Sequence, residues 1–402
     1  MQAIFRMKKT AALLLLCVYV TFVFLNLHIS LPVLSESIKN HTRSKQSISE
    51  FPKAFEHVAN ETIYEKQSII NLYSLIQVIL DKNEENNFEV VKDTDGNGQI
   101  TWFQENTWID PVIFERLDKF KANLPQNTRL IAIVFPDKQI RNYTRFSTGL
   151  PNNYVNERAD FFISRMQDMN IDVLDTRENL MSSGLDTSNL FFQGDHHWRL
   201  ETAFFAFTEI AKFMNTSYNL PLDQFYMDRA NYNSVKYSKV FTGSLFRKTG
   251  FPFLDADDFE LMYPKFSTNY KFSEKNSHSL EDLYSRQDRF ERVFFIPDSE
   301  RKQVEIHLGY NAMSSGMDYV RRIQNMNRKN GQTLLVIQDS FGNAATPFLA
   351  ALFSDIWIID PRTYIGNGYS DLIKTAQPDY VIITLCASLW SSTDFFPIAM
   401  ER

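Results

Sequence analysis

The 402-residue chain has little cysteine and little glycine. Its two cysteines are Cys17 and Cys386, and only 13 residues are glycine. Cys17 lies in an apolar run near the start of the chain, so no intrachain disulfide is predicted, and cysteine supplies no zinc site. The composition is 44% hydrophobic and 14% aromatic, which excludes a collagen-like, coiled-coil or disordered protein.

Positive charge is also scarce. The chain has 42 Lys and Arg residues against 48 Asp and Glu residues, which gives a formal net charge of −6. Proteins that bind nucleic acid through charge carry a basic patch or stripe on their surface. No nucleic-acid partner is therefore predicted.

Charged residues are absent altogether from residues 11–34. An apolar run of about 20 residues is long enough to span a membrane. Arg6, Lys8 and Lys9 precede the run, and such basic residues stay on the cytoplasmic side. We therefore expect an uncleaved signal anchor that exports the body of the protein. The alternatives are a cleaved signal peptide, whose apolar region is shorter, and a buried helix of a soluble protein.

The anchor divides the chain into four predicted regions. These are a cytoplasmic tip at 1–9, a transmembrane anchor at 10–34, a polar stalk at 35–60 and an extracytoplasmic domain at 61–402.

Apolar strand-like runs alternate with helical patterns in the extracytoplasmic domain. Strands are predicted at 129–136, 171–176, 332–340, 355–360 and 380–388, and helices at 61–82, 154–169, 200–214, 317–327, 343–353 and 370–376. Residues 215–317 break the alternation and are predicted to be an irregular insertion. Apolar strands separated by helices are typical of an α/β domain whose parallel sheet is covered on both faces.

Two distant segments carry the residues of a nucleophilic site. Asp195-His196-His197-Trp198 stands at the start of a predicted helix, and Asp339-Ser340-Phe341-Gly342-Asn343 stands where a buried strand gives way to a helix. Reactive groups of open α/β sheets lie at the carboxyl ends of the strands. A serine hydroxyl needs a base to remove its proton, and histidine does so when a carboxylate orients its ring.

These motifs resemble those of the DHHW family, a branch of the SGNH-hydrolase-like superfamily that is similar to bacterial alginate O-acetyltransferases. The resemblance spans about 125–390, with further matching segments at 241–250 (FTGSLFRKTG), 308–312 (LGYNA) and 347–362. It implies a three-layer SGNH-like fold with a central, mostly parallel sheet. It also implies that Ser340 is the nucleophile, His197 the general base and Asp195 its orienter. Ser340 N–H and Gly342 N–H are the candidate oxyanion donors.

The resemblance implies an O-acetyltransferase that acts on a polysaccharide at the bacterial cell surface or in the periplasm. No cofactor is expected, and the acyl group would come from a membrane-bound O-acyltransferase partner. One alternative is a carbohydrate acetylesterase with the same triad. The other is a non-catalytic envelope scaffold or glycan-binding protein, because Gln338 replaces the usual glycine of the motif and the family's asparagine block is not recognisable.

Three further residues near the two motifs or at a strand end each have two interpretations. His196 packs or binds substrate, and Trp198 is either a sugar-stacking platform or part of the core. Arg362 binds an anionic substrate group or pairs with Asp360. The aromatic residues of the insertion line a sugar groove or form a small core, which is the favoured interpretation: Phe241, Phe246, Phe251, Phe253, Tyr263 and Tyr270.

Two segments suggest metal binding. Asp195, His196 and His197 are metal-ligand types, but the spacing of the other histidines completes no zinc set. Residues 93–100 (DTDGNGQI) match the first eight positions of an EF-hand calcium loop, although position 12 is Gln104 instead of glutamate. A strand-like run precedes the loop where an EF-hand has a helix. We therefore predict a β-hairpin with a glycine turn and no metal site.

Overall fold

The computed structural model describes residues 2–43, 56, 58, 60, 62–101, 108–150, 154–294, 320–328, 331–362, 364 and 369–390. The chain divides into two compact units. The first comprises Met1–Leu80 with Gly250–Pro252, and the second comprises Asp81–Thr249 with Phe253–Arg402.

In the first unit, the structure gives the bounds of the helices α1 (Gln2–Arg43) and α2 (Lys66–Ile79). Within α1, the segment Lys8–Lys39 is long and apolar enough to cross a membrane, with a mean hydropathy of 2.3, and none of it is buried. The helix continues through the predicted anchor into the first part of the predicted stalk. Residues 44–55 of the stalk lie outside the described residues. The helix predicted at 61–82 is confirmed as α2.

The second unit contains thirteen strands and eight helices in the part of the chain that the structure describes. The strands are β1 (Glu84–Glu85), β2 (Val90–Lys92), β3 (Gly98–Ile100), β4 (Arg129–Phe135), β5 (Asp172–Asp175), β6 (Tyr232–Phe241), β7 (Asp257–Pro264), β8 (Tyr270–Lys275), β9 (Asp282–Asp288), β10 (Val320–Asn325), β11 (Thr333–Gln338), β12 (Asp355–Ile359) and β13 (Tyr380–Cys386). The helices are α3 (Pro111–Ala122), α4 (Val155–Asp168), α5 (Thr176–Met181), α6 (Leu200–Tyr218), α7 (Ser244–Thr249), α8 (Phe290–Phe294), α9 (Gly342–Leu349) and α10 (Tyr369–Ala376).

Eight strands form one mixed sheet in the order β5-β4-β13-β11-β12-β10-β8-β9. The first five are parallel to one another, and β10, β8 and β9 are joined by antiparallel pairing. The predicted parallel α/β core is therefore confirmed for five strands, and the sheet as a whole is mixed. Strands β8 and β9 of the predicted insertion extend this sheet, whereas its strands β6 and β7 form a separate two-stranded sheet.

One predicted helix is wrong. Residues 317–327 were expected to be helical, but Val320–Asn325 form β10. The strand pairs with β12 on one side and β8 on the other. Val320 and Ile323 are three residues apart, which also fits one face of a helix. Hydrogen bonds to the two neighbouring strands favour the strand conformation here. The spacing of apolar residues in the sequence carries no information about such long-range pairing.

The sheet is covered on both faces, as strand β4 illustrates. Leu130, Ala132 and Val134 pack into a core cluster that contains the buried residues of α3, α4 and α10. Ile131, Ile133 and Phe135 pack into a second cluster with α6 and α9. Successive side chains of a strand point to opposite faces, so the two clusters lie on opposite sides of the sheet. The result is a three-layer arrangement.

Candidate functional site

Ser340 lies at the turn between β11 and α9, at the carboxyl end of a buried parallel strand. Its side chain is half-buried, whereas Asp339 beside it is buried. Asp339 Oδ1 accepts Phe341 N–H at 2.9 Å, and Asp339 Oδ2 accepts the Cys386 N–H at 2.7 Å. These bonds connect the turn to the end of β13. Burial raises the pKa of Asp339 to about 6, although the two N–H donors oppose the rise.

The Asp195-containing loop leads directly into α6. Phe192 N–H donates to His197 O at 3.1 Å, and Phe191 and Trp198 form an isolated antiparallel bridge. The loop therefore closes on itself before the helix begins. His197 and Asp195 are buried within it, with 7% and 3% of their surface exposed.

The structure brings Asp195, His197 and Ser340 into one hydrogen-bonded chain. His197 Nδ1 lies 2.6 Å from Asp195 Oδ1, and His197 Nε2 lies 2.7 Å from Ser340 Oγ. An ionised carboxylate only accepts hydrogen bonds, so Nδ1 carries the ring proton and Nε2 accepts from the serine hydroxyl. This is the tautomer in which histidine acts as a base toward serine.

Asp195 is held as an anion by its surroundings. Burial alone raises the pKa of a carboxyl group, but the pairing with His197 outweighs it and holds the pKa of Asp195 well below its usual range. Asp195 Oδ1 also accepts His197 N–H at 2.9 Å, and Oδ2 accepts Ser244 N–H at 2.6 Å. The carboxylate is therefore fixed from two sides.

The Gly243-Ser244-Leu245 segment clamps the loop that carries Asp195. Leu245 N–H and Phe246 N–H both donate to Gly194 O, at 3.1 and 3.0 Å. A Cβ atom placed on Gly243 would lie 2.3 Å from Asp195 Cβ and 2.6 Å from Gly194 O. Glycine is required here because the two backbones approach so closely.

Lys138 supports the same loop from the end of β4. Its side chain is 7% exposed, and Nζ donates to Gln193 O and Asp195 O, both at 3.0 Å. Burial lowers the pKa of Lys138 to about 8, against the attraction of Asp257 and other nearby carboxylates. This residue was not predicted from the sequence; its one local signal is its place just after a predicted strand.

Asp257 is a second supporting residue that was not predicted from the sequence. The buried carboxylate accepts Gln193 N–H at 2.9 Å, Gly194 N–H at 2.7 Å and Arg199 Nη2 at 2.7 Å. It ties both ends of the loop to β7. A single aspartate 63 residues from its partner in the chain gives no periodic signal in the sequence.

His196 and Trp198, on either side of His197, contact different parts of the structure. His196 Nδ1 lies 2.9 Å from Ser244 Oγ, and its ring centroid is 3.9 Å from that of His197. Trp198 is fully buried; its indole N–H donates to Phe341 O at 3.2 Å, and its ring packs 4.6 Å from that of Phe135. Its ring is not exposed to a sugar, so the core interpretation is correct. The bond to Phe341 joins the two halves of the site.

The oxyanion candidates differ in availability. Gly342 N–H donates to Asp339 O at 3.2 Å, so it is already engaged in the turn and is not a free donor. Among the described residues, no acceptor is found for Ser340 N–H. Ser340 N–H therefore remains the candidate, next to the N-terminus of α9.

Arg362 forms an ion pair with Asp360. This is the second of its two predicted interpretations, the first being to bind an anionic substrate group. Its Nε and Nη2 donate to the two oxygens of Asp360 at 2.9 and 2.5 Å. Pairing with Asp360 outweighs burial and raises the pKa of Arg362.

Gln338, which replaces the usual glycine, points into the core. It donates to Asn343 Oδ1 at 2.8 Å and accepts from Thr346 Oγ1 at 2.5 Å. All three side chains are buried. Gln338 therefore packs in the core beneath α9, and Ser340 Oγ still lies 2.7 Å from His197 Nε2.

The ligand atoms of Asp195, His196 and His197 lie within 4.8 Å of one another. The 2.6 Å separation of Asp195 Oδ1 and His197 Nδ1 is that of a hydrogen bond. Two ligands at about 2.0 Å from a tetrahedral zinc ion would be roughly 3.3 Å apart. The arrangement therefore suits a triad better than a metal site.

The EF-hand-like segment is a hairpin, as predicted. Strands β2 and β3 pair antiparallel around it. The Asp93 carboxylate accepts from Asp95 N–H and from the backbone and side chain of Asn97 and the side chain of Gln99. A cation would have to displace these donors. Gln104 lies outside the described residues.

Two further predictions concern residues 308–312 and the aromatic side chains of the insertion. Residues 308–312 lie outside the described residues. Of the aromatic side chains in the predicted insertion, those of Phe241, Phe253 and Tyr270 are buried, whereas Phe251 is 53% exposed. The core interpretation is thus correct for the buried ones.

Comparisons with known proteins agree with this architecture. Residues 114–236 match the family model described as SGNH hydrolase-like domain, acetyltransferase AlgX. A DHHW family protein from Eubacterium siraeum has a TM-score of 0.59 at 18% identity, over 78% of this chain and 96% of that chain. PatB1 of Bacillus cereus, solved with a sulfonyl adduct, has a TM-score of 0.60 at 18% identity, over 77% of this chain and 99% of that chain. No curated protein matches the sequence. The predicted resemblance and the SGNH-like α/β fold are confirmed.

Proposed function

We propose that this protein is a membrane-anchored serine O-acetyltransferase that modifies a polysaccharide outside the cytoplasm. The observation that carries the proposal is the hydrogen-bonded chain from Ser340 Oγ through His197 to Asp195, with distances of 2.7 and 2.6 Å. The matched family description, which names an acetyltransferase, supports acetyl transfer as the reaction.

The first half-reaction forms an acyl-enzyme. Ser340 Oγ attacks the acetyl carbonyl carbon of the donor, and its proton passes to His197 Nε2. The carbonyl electron pair moves to oxygen, where Ser340 N–H and the N-terminus of α9 stabilise the charge. When the intermediate collapses, the donor's oxygen or sulfur leaves with the bonding electrons and takes the proton from His197.

The second half-reaction transfers the acetyl group. A sugar hydroxyl gives its proton to His197 Nε2 as its oxygen attacks the acetyl carbon. The ester bond to Ser340 then breaks, and Ser340 Oγ recovers the proton. Asp195 stays ionised throughout and orients the imidazole. The reaction needs no cofactor.

The anchor and the acyl supply form the second part of the proposal. Helix α1 carries basic residues before its apolar segment, which favours a cytoplasmic N-terminus. An extracytoplasmic enzyme has no soluble acetyl-CoA at hand. We therefore propose that a membrane-bound O-acyltransferase delivers the acetyl group to Ser340.

Replacing the nucleophile tests the enzymatic part. Ser340→Ala should abolish polysaccharide acetylation in cells and lower kcat/KM for an activated acetyl ester by at least about 10³-fold. Ser238→Ala, which changes an exposed serine of β6, is the matched control and should keep full activity. Unchanged acetylation in the Ser340→Ala strain would refute the proposal.

A reaction with full-length protein in detergent separates transfer from hydrolysis. The protein is mixed with an activated acetyl ester and oligosaccharides. Acetylated sugar supports transfer, whereas free acetate alone would identify the acetylesterase alternative. If a serine-directed fluorophosphonate fails to label Ser340, the protein is the non-catalytic alternative.

A further inference from the structure

Helix α2 has an inverted distribution of polar and apolar side chains. Ser74 and Gln77 are its buried residues, with 0% and 6% of their surface exposed. Its large apolar side chains are exposed instead: Ile69 47%, Leu72 61%, Tyr73 46%, Leu75 43%, Ile76 48%, Val78 38% and Ile79 73%. A helix on the surface of a water-soluble domain buries its apolar stripe and exposes its polar one.

The exposed apolar side chains form a continuous stripe. Ile69, Leu72, Ile76 and Ile79 follow one another at intervals of three, four and three residues. Side chains at this spacing share one face of a helix. At about 100° per residue, Leu72 and Ile79 lie opposite the face that carries Ser74 and Gln77. An apolar stripe of this length needs an apolar partner to cover it.

Two hydrogen bonds hold the chain that leads into α2 against α1. Tyr64 N–H donates to Asn26 Oδ1 at 2.9 Å, and Ser30 Oγ lies 2.6 Å from Thr62 Oγ1. At 1.5 Å per residue, Asn26 and Ser30 are about 23 and 29 Å along the helix from Ala11, where the apolar run begins. The hydrocarbon core of a bilayer is about 30 Å thick. The start of α2 therefore lies near the outer boundary of the membrane that α1 would span.

The composition of α2 suits the surface of a membrane. The helix has one basic residue, Lys66, and no acidic residue. Tyr64 and Tyr73 are exposed near its start and middle, and tyrosine is enriched at the boundary between lipid and water. Helices with an apolar face, aromatic residues and basic charge lie in the plane of this boundary.

We infer that α2 is an interfacial helix whose stripe of Ile69, Leu72, Ile76 and Ile79 is embedded in the outer leaflet of the membrane that α1 spans. The inference rests on the membrane anchoring that forms part of the proposed function. It adds a second membrane attachment, Lys66–Ile79, which follows the predicted stalk in the chain and ends shortly before Asp81, where the second unit begins.

Depth measurements with single-cysteine variants of the full-length protein test this inference. Cys17 is first replaced by alanine; Cys386 is buried, and burial raises its thiol pKa well above the usual value, so it stays unlabelled. Leu72→Cys and Ile79→Cys are labelled in detergent with an environment-sensitive fluorophore. The protein is then reconstituted into phosphatidylglycerol and phosphatidylethanolamine vesicles. Leu283→Cys is the matched control, because Leu283 lies on β9 and is 57% exposed.

The inference expects labels at positions 72 and 79 to emit at shorter wavelength and to be quenched by lipids with a nitroxide on the acyl chain. The label at position 283 should show neither effect. Labels that emit at shorter wavelength without quenching by these lipids would show that protein covers the stripe, which overturns the inference.

A label on the native Cys17 separates this inference from the anchoring itself. If Cys17 is quenched and positions 72 and 79 are as water-exposed as position 283, the inference is wrong and the anchor stands. If Cys17 is not quenched either, the proposed anchoring has failed.

Discussion

Replacing Gly243 by alanine should disable the candidate site through a steric clash. The added Cβ would lie 2.3 Å from Asp195 Cβ and 2.6 Å from Asp195 Oδ2. Non-bonded carbon atoms normally approach to about 3.5–4.0 Å. One of the two segments must therefore move by at least about 1 Å. Asp195 Cβ is bonded directly to the backbone, and the backbone oxygen of Gly194 would also lie 2.6 Å away, so a rotamer change cannot relieve the clash.

A movement of this size breaks the geometry that orients His197, the proposed base. The Asp195 Oδ1 to His197 Nδ1 distance is 2.6 Å, and adding about 1 Å takes it beyond hydrogen-bond range. A displacement of about 1 Å in a catalytic group costs on the order of 10² in rate, and loss of the orienting carboxylate costs about 10⁴. We expect kcat/KM for an activated acetyl ester to fall between these values. Steady-state kinetics of the detergent-solubilised protein measure it.

Two comparisons make this prediction specific. Gly331→Ala adds a Cβ that lies 3.1 Å from Ser354 Cβ at the other end of β11, and should leave kcat/KM nearly unchanged. Ser244→Ala removes one neutral hydrogen bond to His196, worth about 0.5–1.5 kcal/mol, and keeps the backbone bond to Asp195. Ser244→Ala should therefore lower kcat/KM by no more than about 10-fold.

A folded Gly243→Ala protein with near wild-type kcat/KM would refute the reasoning. Tryptophan fluorescence during thermal unfolding verifies that the variant is folded.

Two further predictions concern stability and are measured by urea unfolding in detergent. Asp257→Ala leaves Arg199 and two loop N–H groups without their buried acceptor, and should lower the free energy of unfolding by about 3–5 kcal/mol. Burial raises the pKa of Asp339 from 3.8 to about 6, so the folded state binds this proton more tightly. Protonation of Asp339 therefore stabilises the folded state, and this contribution is fully present below about pH 4. The free energy of unfolding should fall by about 3 kcal/mol as the pH rises from 4 through 6. Asp339→Asn should remove this pH dependence.

Each stability prediction has its own control and contrary result. Asp371→Ala removes an exposed carboxylate of α10 that pairs with Lys374 at 3.9 Å, and should change stability by less than about 0.5 kcal/mol. An Asp257→Ala effect as small as this would contradict a role in holding the loop. An Asp339→Asn protein whose stability between pH 4 and 7 follows the wild-type curve would show that another group titrates.

The central strands and the residues of the proposed triad could be picked out from the sequence because their signals are local. The central strands are short apolar runs between turn residues, and Asp195 and His197 are two positions apart. Ser340 follows a buried strand, where α/β proteins place reactive groups. Helix α3 was not predicted, although its signal was present: Asp110 caps it by accepting Val112 N–H, and Pro111 occupies its first turn.

The supports of the site could not be predicted, because they act across long separations in the chain. Lys138 reaches the carbonyl of Asp195 from 57 residues away, and Asp257 reaches Gly194 from 63. A single polar residue near the end of a strand belongs to no repeating pattern. The sequence therefore does not distinguish a buried polar side chain at such a position from one exposed to solvent. Only the folded chain shows that these charges are buried against the loop's backbone.

Strand β13 lies in the middle of the sheet but late in the chain, so the central sheet is completed only after β13 is available. This strand comes last in the described sequence, yet it pairs with β4 on one side and β11 on the other. If α1 is the anchor proposed above, export across the membrane delivers residues 129–135 before residues 380–386. Until then, β4 lacks the partner that connects it to the rest of the sheet, and non-local parallel pairing is slow to form. Under that proposal, we expect the exported chain to stay incompletely folded and exposed to proteases until β13 has crossed the membrane.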